Sequence, residues 1–124
     1  MPSRSKKVDP RLLGSWKSDR RKTFQHFKPK ANCPPSSFRK LKAMFGKLVI
    51  TWRRNTYVTN LDGFRRTYRY EVIATDSSSV VIRYYDEFSP QGSLRQINFS
   101  GDYYCMAASG GSLCEYFRRI PNEE

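Results

Sequence analysis

Between residues 47 and 120 apolar side chains recur at every second position, and turn sequences interrupt the pattern at short intervals. A period of two is the spacing of one face of a β-strand. Leu48, Ile50 and Trp52 alternate with Lys47, Val49, Thr51 and Arg53. Arg54-Asn55 turns the chain into a strand over 56–60, and Asp62-Gly63 is a hairpin signal. A long strand over 66–75 places Tyr68, Tyr70 and Val72 on one side. Residues 76–79 turn, and Val80, Ile82 and Tyr84 share a face of the next strand. The Pro- and Gly-containing stretch 88–93 reads as a loop, followed by a strand over 94–100 with Ile97 and Phe99 together. Gly101-Asp102, a strand over 103–108, Gly110-Gly111 and a strand over 113–120 complete the series, and Pro121 ends the pairing.

The N-terminal part is built differently. Residues 1–9 read as a basic disordered arm, and residues 10–121 as one domain. Residues 12–16 form a short strand, and Asp19 is placed to cap a short helix carrying Phe24 and Phe27. After a linker containing Cys33, Pro34 and Pro35, Ser36 or Ser37 can cap a second helix. Phe38, Leu41, Met44 and Phe45 form its apolar stripe, which reads as core packing, and Gly46 stops it. The helices thus occupy about residues 19–45, as a lid. Short connections favour antiparallel neighbours. Eight such strands in order can close into an up-and-down barrel without exposed edges. The expected architecture is therefore an all-β, eight-stranded antiparallel barrel with a helical insertion between its first two strands. A barrel of this size holds either packed side chains or one small ligand.

Charge divides along the same boundary. Residues 1–54 hold 16 Lys and Arg against Asp9 and Asp19, whereas residues 55–124 hold 7 against 9 acidic residues. A net charge of +12 draws polyanions such as nucleic acid or an anionic membrane surface. The N-terminus lacks the apolar core of a secretory signal, and no run approaches the roughly 18 apolar residues of a membrane span. Three cysteines without paired spacing suggest reduced thiols in a cytoplasmic setting. His26 is the only histidine, so neither a metal cluster nor a histidine-based triad is expected. Phosphate-binding glycine loops and metalloprotease motifs are absent as well. No cofactor and no catalytic residue is assigned.

Several segments resemble the bacterial lipocalin-like small proteins of the calycin group. Leu13-Gly14-Ser15-Trp16 matches the Gly-x-Trp of the first lipocalin strand. Phe45-Gly46-Lys47-Leu48 resembles the entry to the second strand of the bacterial members. Phe99-Ser100-Gly101-Asp102 and Glu115-Tyr116-Phe117-Arg118-Arg119 resemble their closing hairpins. The resemblance spans about residues 11–120 and implies a small-molecule cavity. It also implies that an Arg of the last strand, Arg118 or Arg119, packs across Trp16.

Two sites follow. In the last hairpin, cross-strand partners sum to 221 if Gly110-Gly111 is the turn, and to 219 if Ser109-Gly110 is. Both registers put Tyr104, Met106, Ala108, Leu113, Glu115, Phe117 and Arg119 on one face, expected to point inward. Cys105 and Cys114 share the other face, directly opposite in the second register and diagonal in the first, a separation expected to be too long for a disulfide. Glu115 and Arg119 lie roughly 13–14 Å apart along the strand. Arg119 either latches Trp16 by a cation–π contact or binds a ligand carboxylate. Trp16, Trp52, Tyr68, Tyr70, Tyr84, Phe99, Tyr104 and Phe117 complete the expected interior, where they line a cavity or fill a core. The expected activity is non-catalytic binding of a small apolar or amphipathic molecule, anionic in one version. The alternative is an interaction surface for nucleic acid or an acidic protein, made of Arg20, Arg21, Lys22, Arg39, Lys40 and Lys42.

Overall fold

The computed structural model describes residues 7–25, 34–107 and 113–121. Eight antiparallel strands close into a barrel in sequence order. They are β1 Gly14–Ser18, β2 Val49–Trp52, β3 Thr56–Leu61, β4 Phe64–Thr75, β5 Ser79–Asp86, β6 Ser89–Ser100, β7 Tyr103–Ala107 and β8 Cys114–Ile120. Two helices, α1 Arg20–Phe24 and α2 Pro35–Ala43, lie between β1 and β2. Closure comes from β1, where Trp16 faces Ile50 of β2 on one side and Arg119 of β8 on the other. Each strand then has two partners and no edge remains open. In such a meander the β1–β2, β3–β4 and β5–β6 connections emerge at one end, and the β2–β3, β4–β5 and β6–β7 connections at the other.

Alternation along the strands fills the interior. Trp16, Trp52, Tyr70, Ile82, Ile97, Tyr104 and Phe117 are all buried in one cluster. The Trp16 and Tyr104 ring centres are 4.6 Å apart, and those of Tyr104 and Phe117 5.1 Å. Trp52 Nε1–H donates to Tyr104 Oη over 2.9 Å, so the deepest hydroxyl is paired. Leu12, fully buried, plugs the end that carries the β4–β5 turn. Around it the Arg11 guanidinium donates to buried Asp9 and to the carbonyls of Asp76, Ser77 and Ser79, and lies 4.6 Å from the Phe99 ring centre. That end is closed by side chains holding backbone.

Local chemistry explains most element boundaries. Asp19 caps α1, its carboxylate accepting from Lys22 N–H over 2.9 Å. Asp62 and Gly63 both take positive φ, the conformation that a tight hairpin turn demands. Three boundaries differ from the sequence reading. The first strand starts at Gly14, because residues 10–12 turn to seat Leu12. α2 begins at Pro35 with Pro34 as its cap, two residues before the serines, since a proline at the first helical position needs no hydrogen bond from its nitrogen. Residues 88–93 are largely strand rather than loop. Asp86 pairs with Ser89 and Tyr84 with Ser93, so Tyr85 alone faces Pro90, Gln91 and Gly92 in a bulge. Gly92 takes a φ of +94°, and a Cβ there would lie 2.7 Å from Arg83 Cδ, so any other residue in the bulge is strained by its backbone and must displace Arg83. The stripe on α2 is also not core. No residue of α2 is buried, and Phe38 and Phe45 instead pack edge-on against Phe24.

The last hairpin adopts the register whose partners sum to 221, with Tyr103 opposite Arg118 and Ala107 opposite Cys114. Cys105 and Cys114 are therefore diagonal. The expectation that a diagonal pair stays reduced is overturned: their Cα atoms are 5.8 Å apart and the two form a disulfide. Strand twist shortens one of the two diagonals across an antiparallel pair, which brings the cysteines into bonding range. The basic arm up to residue 6, His26, Phe27, Cys33, Ala108 and the Gly110-Gly111 turn lie outside the described residues.

Candidate functional site

The aromatic packing stops short of the end where the β5–β6 turn emerges. There the barrel opens into a cavity of about 370 Å³, within the roughly 300–1,000 Å³ range of small-molecule sites. Ile50, Trp52, Ile82 and Met106 supply an apolar wall, Tyr57 and Tyr84 an aromatic one, and Phe88 stands at the mouth. A neighbouring recess of about 380 Å³ shares Tyr57 and Asp86 with it and extends to Leu48, Leu61, Phe64 and Tyr68. The interior is thus packed at one end, where Leu12, Trp16, Tyr104 and Phe117 are fully buried, and open at the other.

Charged groups break this apolar lining. Arg95 lines the cavity beside Tyr84. Its Nη2–H donates to Tyr84 Oη over 3.0 Å, and its guanidinium lies 5.0 Å from the Tyr84 ring centre. Sequence reasoning did not single out Arg95, although it stands two and four residues before Ile97 and Phe99 on one face of β6. The expected strand over 94–100 already contained it, and its parity with Ile97 and Phe99 is the signal that identifies it as inward-facing. Asp86 lines the same cavity, and its carboxylate accepts from Phe88 N–H over 2.9 Å, shaping the turn at the mouth.

Glu115 is a further interior charge. It lies opposite Met106, and Ser18 Oγ–H donates to its carboxylate over 2.7 Å while accepting from Gly46 N–H. Burial pushes the Glu115 carboxyl above its ordinary pKa, opposed by the Ser18 hydrogen bond and the positive charge of Arg95. Burial also raises the phenols of Tyr57 and Tyr104, and takes Tyr70 to about 12, so these hydroxyls stay protonated.

The expected interior residues separate into groups. Trp52 and Tyr84 line the cavity, and Tyr68 lines the adjoining recess, its hydroxyl donating to Glu87. Tyr70, Tyr104, Phe117 and Trp16 are packed core, with Phe99 against them. Arg119, expected inside, is exposed at the closed end. Its guanidinium lies 4.3 Å from the Trp16 ring centre and donates to the carbonyls of Leu13 and Arg11. The latch alternative is the contact the structure contains: Arg119 lies opposite Trp16 at the closed end, away from the cavity, and covers its ring.

The basic residues of the helices divide too. Lys22 Nζ sits 4.8 Å from the Tyr103 ring centre, Arg20 Nε–H donates to Phe45 O, and Lys42 lies 5.1 Å from the Phe38 ring centre. Arg21, Arg39 and Lys40 are exposed. Among the described residues no group of three His, Cys, Asp or Glu is placed to hold a metal ion, and no helix is long and apolar enough to cross a membrane.

No protein-family model matches the chain. No curated protein matches it in sequence. Among solved structures it is similar in fold to As-p18, described as an extracellular fatty acid binding protein. The two share 12% identity over 92% of this chain and 100% of that one, with a TM-score of 0.54. At that identity the likeness extends to the barrel alone.

Proposed function

We propose that the protein binds one small amphipathic molecule, non-covalently, in the cavity at the open end, with an anionic group turned toward Arg95 and Tyr84. The observation that carries this reading is a cavity of about 370 Å³, open at the barrel end, whose mainly apolar and aromatic wall holds the Arg95 guanidinium beside Tyr84, with Asp86 engaged by the turn at the mouth. Ile50, Ile82, Trp52 and Met106 would hold the apolar part, and burial of that surface would supply most of the affinity. Tyr84 already orients the guanidinium, so little ordering is needed when an anion arrives. The fold of As-p18, which by its description binds fatty acid, supports hydrophobic-ligand binding in general. The Cys105–Cys114 disulfide favours an oxidising compartment over the reducing one suggested by the cysteine count.

Calorimetric titration with a long-chain carboxylate and with the alcohol of equal chain length tests the reading. The carboxylate should bind more tightly. Arg95→Met should weaken it by about 10- to 100-fold, the range of a charge-assisted hydrogen bond, and leave the alcohol within about threefold. Failure of both to bind, or an equal loss for both, refutes it.

A further inference from the structure

Four exposed large apolar side chains of the described chain stand on the connections at the open end of the barrel. Phe88 of the β5–β6 turn is 87% exposed, Met44 at the end of α2 73%, and Phe64 and Leu61 beside the Asp62-Gly63 turn 63% and 46%. They come from three connections that emerge at the same barrel end. The Lys47–Asp62 ion pair at 3.9 Å ties the segment after α2 to the β3–β4 turn. Leu61, Phe64 and Glu87 line one recess, which brings the β3–β4 and β5–β6 turns together. Water does not favour such a rim, and a soluble protein rarely displays one without a use.

Positive charge accompanies it. Arg66 lies 4.8 Å from the Phe64 ring centre, and α2 carries Arg39, Lys40 and Lys42 with no acidic residue and no buried one. Three carboxylates stand at the same mouth: Asp62 is paired with Lys47, Glu87 accepts from the Tyr68 hydroxyl, and Asp86 accepts from Phe88 N–H at the turn. Aromatic and aliphatic tips surrounded by lysine and arginine are the composition of an interfacial membrane contact: the apolar tips enter the acyl boundary while the cations stay at the headgroups. A nucleic acid would use the cations but offers no apolar phase to Leu61 or Met44.

We infer that the open end of the barrel docks on an anionic lipid bilayer, with Phe88, Phe64, Leu61 and Met44 inserted and the cations of α2 and β4 over the headgroups. Docked in this way, the cavity mouth faces the acyl region, and an amphipathic molecule can pass between bilayer and barrel without crossing water. The contact itself does not depend on what the cavity holds, so its test is separate from the calorimetry.

The test is flotation of the whole protein with phosphatidylcholine vesicles, with mixed phosphatidylcholine–phosphatidylglycerol vesicles, and, in parallel, binding to a single-stranded oligonucleotide. Binding is expected on the mixed vesicles, weak on phosphatidylcholine alone, and reduced by salt. Phe64→Ser should lower the vesicle affinity about tenfold, the scale of one buried aromatic, without changing the melting curve. Leu94→Ser, also exposed but on the barrel wall, should leave affinity unchanged and serves as the control. Absence of flotation overturns the inference. So does binding that ignores Phe64→Ser and Phe88→Ser and is matched by the oligonucleotide at every salt concentration, which would make the surface a general polyanion site.

Discussion

Trp16→Ala probes the closed end most directly. The indole is 1% exposed, its Nε1–H donates to Leu12 O over 2.9 Å, and Arg119 covers one face. Truncation removes the largest side chain of the first strand and opens a void between Tyr104, Phe99 and the Leu12 plug. Large-to-small changes of an aromatic in a packed core cost about 3–5 kcal/mol. The Leu12 carbonyl loses its partner and Arg119 its platform, each adding about 1 kcal/mol. A total near 5–7 kcal/mol consumes much of the roughly 5–15 kcal/mol that holds a domain folded. With unfolding entropies typical for this chain length, each kcal/mol moves Tm by about 4 °C. A fall of roughly 20–28 °C is therefore expected in a thermal melt followed by far-UV circular dichroism. Urea titration should show a lower midpoint with an unchanged slope. Arg119→Ala should fall much less, by about 1–2 kcal/mol, because the ring stays in place. A Trp16→Ala shift below about 5 °C would refute the view that the closed end is held by this residue.

Other consequences concern single groups. Glu115 has a folded pKa above its ordinary value, chiefly through burial. The folded state therefore holds its proton more tightly, and stability falls as pH rises from the ordinary carboxylate range through the raised pKa. Glu115→Gln should thus raise Tm at neutral pH relative to wild type and lose that advantage in acid; an equal change at both pH values speaks against it. Asp9 has the opposite sign. Its hydrogen bond from Arg11 holds its pKa below the ordinary value despite the opposing effect of burial, so its contribution is complete above that value and lost as pH falls through the depressed one. Arg11→Ala, which strands a buried carboxylate, should cost about 3–5 kcal/mol at neutral pH and flatten the acid limb of the stability profile. Reduction of the Cys105–Cys114 bond, which closes a short loop, should cost about 2–3 kcal/mol, and a linked peptide in an unreduced digest checks the bond itself.

What could be read from residues alone was whatever depends on local period and turn chemistry. The alternation after residue 47, Asp62-Gly63, Gly101-Asp102 and the Asp19 cap are decided within a few residues, and they were enough to specify eight antiparallel strands and their closure around Trp16, Tyr104 and Phe117. Matters of distance between strands were settled only by the folded barrel. Twist chose the short diagonal that joins Cys105 to Cys114, a bulge at Gly92 extended the strand that carries Arg95 toward the mouth, and the carbonyls of Arg11 and Leu13 hold Arg119 over Trp16 at the closed end. The cavity belongs to this second class. Its volume is the difference between the space that eight strands enclose and the side chains that fill it, and such a difference is a property of the closed barrel that no single segment of the chain contains.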